Sequence, residues 1–277
     1  VAFLSEIESL KIIYKEIIEG YSVSDGYLIR HLDEIEHIEV SSHKLSLYVK
    51  YMKDGLPNAE AQTKTAIECG NWSAEKEGEL VELPQTIADQ ETHFSSLIPA
   101  QQPQIRRVIQ MLKEKRIALF IEKHALLSQT ADAFADRESF NYLVYLSLYK
   151  SPKEKLFSSY QEFQELEDIQ LMKYGQAMEN MLAKINTVCM NRIASMPFFL
   201  NPLSYVKENV QFFLNKPVSQ LTYYQSHIIS LGLRNLNVLS NVNADPPTAM
   251  NAESFDALTL WYDQQYSILL GKRNSRQ

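Results

Sequence analysis

Three histidines, His31, His37 and His43, stand six residues apart among Asp33, Glu34, Glu36 and Glu39, the densest set of metal-ligating side chains in the sequence. Six residues turn an α-helix through about 600°, so successive histidines lie roughly 120° from overlay and cannot face one ion from a continuous helix. Glu34 and His37 also make one Glu-x-x-His, the spacing by which a helix presents both side chains to a carboxylate-bridged metal pair. Such a centre needs a second copy, and no other histidine here has glutamate three positions before it. The segment therefore reads as a solvated acidic face, and no metal is assigned.

The other chemical signatures are absent in the same local sense. His93, His124 and His227 stand alone, and a lone histidine is a general base only if a partner orients it. Gly271-Lys272 lacks the upstream glycine of a Walker motif and is followed by Arg273, while GxGxxG, GxSxG and HExxH do not occur. Cys69 and Cys189 are the only cysteines, 120 positions apart, which gives neither a zinc spacing nor a disulfide framework and points to a reducing compartment. No catalytic, cofactor-binding or metal-binding residue is assigned, and the chain is read as non-enzymatic. That reading covers local motifs and not a site assembled from distant residues.

Stepping out to the whole chain of 277 residues, 45% hydrophobic and 22% charged composition describes a folded protein, with room for one large domain or two smaller ones. Glycine, at 8 residues, is about half its usual frequency, and sheets with tight turns consume glycine. A net charge of −7 opposes general affinity for nucleic acid or anionic membrane, both of which require a basic surface. Lys272, Arg273 and Arg276 read as a solvated tail. No apolar run approaches the roughly 20 residues that cross a bilayer, and Val1 to Glu6 lack the basic flank of a secretory signal. The expected location is cytoplasmic.

The periodicity predicts an all-α chain, an irregular multi-helix assembly with a long helical hairpin and at most a small N-terminal β-hairpin. Leu4, Ile7, Leu10, Tyr14 and Ile17 share a helical face that Gly20 ends. Ser24-Asp25-Gly26, between short apolar stretches, predicts a turn in the only strand region expected, from Tyr21 to Leu32. Ile35, Ile38, Leu45, Tyr48, Val49 and Met52 predict a helix with a break near Ser41-Ser42. Asn58 caps a short helix ended by Gly70, and Ser73, ahead of Glu75 and Glu77, caps a longer one that Pro84 kinks or divides.

Trp72 is expected to staple back onto that helix. After the breaker Pro99 to Pro103, Ile105, Val108, Ile109, Leu112, Leu119, Leu126 and Leu127 mark a long helix, so residues 73–127 form an antiparallel hairpin. Thr130 caps the next helix, and Pro152 opens another. One long run follows from Asp168 to Ile193, then a helix interrupted by Gly232, then a last helix through Trp261. The expected division is an N-terminal helical region, 1–150, and a C-terminal one, 151–277.

About half of the fifteen tyrosines and twelve phenylalanines cluster in Phe140 to Tyr149, Phe157 to Phe163 and Phe198 to Tyr224. Aromatic side chains bury much area at small entropic cost and concentrate at interface centres. Trp72, Phe213, Tyr223, Tyr224 and Trp261 are the interaction residues selected, within two contact elements: the hairpin and the helices from Asn201 to Leu239.

Three pieces, spread in order along the chain, are Gly70-Asn71-Trp72-Ser73-Ala74-Glu75-Lys76-Glu77, Thr130-Ala131-Asp132-Ala133-Phe134-Ala135, and Asn215-Lys216-Pro217 followed by Leu221-Thr222-Tyr223-Tyr224-Gln225. In these the chain resembles uncharacterised proteins of large contractile-tailed bacteriophages. The resemblance implies a virion component near the baseplate or neck, or an assembly factor, and carries over no functional residue. The expected function is thus a structural or assembly protein working through contacts with other proteins of a larger complex, or with further copies of itself. The alternative is a regulatory protein that binds nucleic acid or a polymerase through Arg106, Arg107, Lys113, Lys115 and Arg116.

Overall fold

The computed structural model describes residues 2–96, 102–206, 209, 211–243, 245–248 and 252–274. In chain order its elements are α1 (Ala2–Glu19), β1 (Tyr21–Ser24), β2 (Tyr27–Arg30), α2 (Glu34–Lys53), α3 (Ala59–Glu68), α4 (Ala74–Ser96), α5 (Gln102–Leu126), α6 (Ala131–Ser147), β3 (Leu148–Ser151), β4 (Glu154–Lys155), α7 (Tyr160–Gln164), α8 (Asp168–Lys184), α9 (Thr187–Ala194), α10 (Pro197–Val206), α11 (Gln211–Leu214), a 3-10 turn at Val218–Gln220, α12 (Tyr223–Asn241) and α13 (Ala252–Asn274). The fold is all-α with a minor sheet. Two compact units are present, one from residues 1–40 with 140–277 and one from 41–139, and residues 150 and 151 both lie in the first.

The first unit is built around α12. Its buried face, with Ile228, Ile229, Gly232 and Val238, meets α9, α10, α13 and α1, where Ile17, Ile193, Phe199, Leu203 and Phe255 are fully enclosed. A β-carbon on Gly232 would stand 2.4 Å from Cε1 of Phe199 and 2.6 Å from Cδ2 of Leu203. Gly232 therefore does not interrupt the helix, as its type suggests. It lets α10 approach the α12 backbone.

The sheet is larger than the expected hairpin. Asp25-Gly26, with Gly26 at φ +81°, joins β1 to β2 in the register Tyr21↔Arg30 and Ser24↔Tyr27. β3 then pairs antiparallel with β2 through Leu28↔Tyr149, and β4 with β3. The apolar run ahead of Pro152 has no alternation to mark it as strand, so β3 reads as the end of α6. Pro152 lies in the β3–β4 turn and opens no helix.

Other boundaries also move. The run from Asp168 to Ile193 is two helices, because the Asn186 side chain accepts from Cys189 N at 2.9 Å and starts α9 anew. Conversely α2 passes unbroken through Ser41 and Ser42, and α4 through Pro84. The expected caps at Asn58, Ser73 and Thr130 are made, with Ala61 N, Lys76 N and Ala133 N as donors.

The second unit holds the hairpin. Lys76–Glu122 at 2.5 Å, Lys123–Glu77 at 2.7 Å and Lys113–Glu91 at 2.7 Å pair the start of one helix with the end of the other, so α4 and α5 run antiparallel. Lys115–Glu79 is a fourth pair. Ala66, Trp72, Leu83 and Leu119 are buried between α3, α4 and α5, with Ile67, Leu80, Leu112 and Leu126 packed against them. Of the breaker Pro99 to Pro103, residues 99–101 lie outside the described residues, as does Arg276.

Candidate functional site

One polar constellation in the first unit brings a serine, a histidine and a carboxylate together. Glu16 comes from α1, Ser22 from β1, His31 follows β2, and Lys184 ends α8. Ser22 Oγ donates to Glu16 Oε2 at 2.7 Å and lies 3.2 Å from Nε2 of His31, while Lys184 pairs with the other oxygen of Glu16. His31 is 1% exposed, and its burial, followed by the charges of Arg30 and Lys184, pushes its pKa down to about 4. The ring is neutral at pH 7.

The chemistry follows from counting protons. A hydroxyl has one proton, and here Glu16 takes it, so the contact with His31 is made by ring Nε2–H donating to Oγ. An imidazole in that tautomer cannot accept the serine's proton at Nε2, so the trio is not an activated nucleophile. It ties α1, the hairpin and α8 together. Sequence reasoning missed it because Ser22 and His31 meet only through the hairpin register, in which His31 N donates to Gly20 O at 2.8 Å.

The acidic cluster does not assemble a metal centre. His31 lies ahead of α2, and His37 sets its ring edge-on to Tyr223 at 5.2 Å. Among the described residues no group of three or more His, Cys, Asp or Glu side chains is placed to hold a metal ion. Cys69 and Cys189 are both free thiols; burial pushes the Cys189 pKa up to about 11.

The five selected aromatic residues separate. Tyr223 is exposed and stacks on His227 at 6.0 Å, and the half-buried Tyr224 stands edge-on to His31 at 5.1 Å. Phe213 packs edge-on to Phe199 at 5.6 Å, and Trp261 packs on Tyr262 at 5.1 Å, both half-buried in the first unit. Trp72 is 3% exposed, its Nε1 donating to Glu77 and Lys76 lying over its ring. The staple reading of Trp72 is the one the geometry carries. Its indole is interior, so it is not a surface contact.

Exposed apolar side chains collect elsewhere. On α5, Leu112, Leu119 and Leu126 face α4, yet Ile117, Phe120 and Ile121 form a second stripe that is more than half exposed. A groove of about 420 Å³ beside it is lined by Ile87, Lys113, Arg116, Ile117 and Phe120. A helix apolar on two faces belongs in an interior or against a partner. On α2, Ile35, Ile38, Leu45, Val49 and Met52 are exposed, while Leu47 is buried and Tyr51 packs on Phe134. The apolar periodicity of α2 therefore marks its outer face and not its core face. Tyr205, Phe212 and Val218 are exposed in the aromatic C-terminal region.

No protein-family model matches the chain, and neither does any curated protein or solved structure. No helix among the described residues is long and apolar enough to cross a membrane.

Proposed function

We propose that this chain is a non-enzymatic structural or assembly protein that works by binding other proteins, with the α4–α5 hairpin as its principal contact arm. The observation that carries this reading is the second apolar stripe of α5, Ile117, Phe120 and Ile121, exposed beside a groove while the opposite stripe fills the hairpin interior. Large contiguous apolar patches on soluble proteins mark interaction sites. A virion component of the baseplate or neck, or a factor that assembles one, needs such a surface, which suits the resemblance to tailed-phage proteins.

The nucleic-acid alternative has less support. Lys113 and Lys115 are paired with Glu91 and Glu79, and the Arg106 guanidinium lies over the Phe94 ring. Cations already neutralised across the hairpin release few counterions from a phosphate backbone. A salt titration of DNA and RNA binding tests this directly, and tight binding that weakens steeply with salt would favour the alternative.

The test of the main reading is affinity capture from the native host with the wild-type chain, the variant I117E/F120E and the control E114K. Because both apolar positions are exposed, all three proteins should show the same circular dichroism and melting temperature. The expected result is a set of partners retained by wild type and E114K and lost from I117E/F120E. Equal capture by all three would overturn the assignment of the hairpin.

A further inference from the structure

The exposed residues of α2 are spaced with a regularity that ordinary surface residues lack. Ile35, Ile38, Ser42, Leu45, Val49 and Met52 follow one another at steps of 3, 4, 3, 4 and 3, the a and d positions of two and a half heptads. All six are exposed, and the helix carrying them is unbroken from Glu34 to Lys53. Leu47 is buried, Lys44 pairs with Asp136 and Tyr51 donates to Glu138, all away from the seam, and Glu39 at its flank accepts from Tyr142. The seam is the geometry of a coiled coil with one strand present.

We propose that this seam is covered by the α2 helix of a second copy of the chain, lying antiparallel. This names one partner within the proposed function and rests on that reading. Charge identifies both the occupant and its direction. The first half of α2 carries Glu34, Glu36 and Glu39, and the second carries Lys44, Lys50 and Lys53. Such a helix complements itself only when reversed, and a two-fold axis then repeats every contact twice.

The register follows from the heptad. Ile35 faces Met52 of the second copy, Ile38 faces Val49, and Ser42 faces Leu45. The flanking e positions then bring Glu39 against Lys53 of the second copy, once on each side of the axis. In the parallel alternative Glu34 would face Glu39, a like-charge pair on each side. Lys53 is exposed and Glu39 accepts a hydrogen bond from Tyr142, which leaves its second oxygen for the lysine. The seam is about 27 Å long at 1.5 Å per residue, short for a coiled coil, so the pairing depends on protein concentration.

Sedimentation equilibrium of the full chain over a range from about 1 to 300 μM tests the proposal, with circular dichroism to confirm folding. Wild type is expected to pass from monomer to dimer, and I38E/L45E to remain monomeric with an unchanged melting temperature. E39K and K53E should each weaken the dimer, by roughly three- to tenfold in Kd, and E39K/K53E should regain the wild-type value. A wild-type chain that stays monomeric throughout, or an I38E/L45E variant that dimerises like wild type, overturns the proposal. A tighter dimer in E39K alone overturns the antiparallel arrangement. Loss of self-association alongside intact hairpin-dependent capture would sink this inference and leave the proposed function standing, and the reverse pattern would do the opposite.

Discussion

Ser22 Oγ lies 3.2 Å from Nε2 of His31, and because the hydroxyl proton goes to Glu16, the buried imidazole is held as a neutral donor. The folded-state pKa, about 4, is below the 6.5 of a free histidine, so the folded protein binds fewer protons than the unfolded chain. The stability this contributes is complete above pH 6.5 and falls as pH drops from 6.5 towards 4. A separation of this size amounts to about 3 kcal/mol at most. Carboxylates also titrate there, so the informative quantity is the difference between wild type and H31Q in urea unfolding at pH 7.5 and 4.5. Wild type should lose more stability between the two; parallel losses would show that His31 is not buried as a neutral ring.

Gly232 is a packing position, and G232A tests that. Alanine is the better helix former by about 1 kcal/mol, but its methyl group would stand 2.4 Å from the Phe199 ring. Overpacking of that kind costs about 1–3 kcal/mol, and at this separation the upper end applies. The variant should lose about 2 kcal/mol in chemical denaturation. An equal or more stable variant would mean that α10 and α12 are not in this contact.

Gln225 satisfies two helix ends at once. With Thr222 it closes a capping box at the start of α12, and its Nε2 donates to the free carbonyls of Ile17 at 3.0 Å and Ile18 at 2.8 Å, where α1 ends. Q225M keeps the volume and removes the bonds of the side chain, to Thr222 N and to the two carbonyls, while the backbone N of residue 225 still donates to Thr222 Oγ1. With half of the capping box lost and buried acceptors left without donors, the expected cost is about 2–4 kcal/mol. A loss under about 1 kcal/mol, within the range of a single cap, would show that the carbonyls of α1 find other donors.

The two tryptophans report on separate units. Trp72 is buried in residues 41–139, and Trp261 is half-buried in the other unit. W261F should therefore leave emission at shorter wavelength than W72F does. The same two variants follow the unfolding of each unit in one chain, and identical emission maxima would contradict the burial of Trp72.

What was legible in the sequence was local. Caps at Asn58, Ser73 and Thr130, the turn at Asp25-Gly26 and the pairing of α4 with α5 could be read because each depends on residues near in sequence or on a long periodic stripe. β3 could not, since its pairing with β2 joins positions more than a hundred residues apart. The buried trio of Glu16, Ser22 and His31 is close in sequence, and it was hidden because its members meet only through the register of the hairpin. α2 shows a different limit: periodicity reveals that a helix has an apolar face but not whether that face meets the core or a partner. Aromatic type had the same weakness, drawing Trp72 into a list of contacts when its neighbours Lys76, Glu77 and Leu119 make it interior.

The central claim, that the outer stripe of α5 is a protein contact, is tested most directly by side-chain oxidation footprinting of the chain in its native assembly and as purified protein. Met111, Phe120 and Ile121 are exposed in the chain alone and serve as reporters. Phe120 and Ile121 should be strongly protected in the assembly, with exposed Met172 on α8 as the internal comparison. Equal oxidation of Phe120 and Ile121 in both samples would contradict the account.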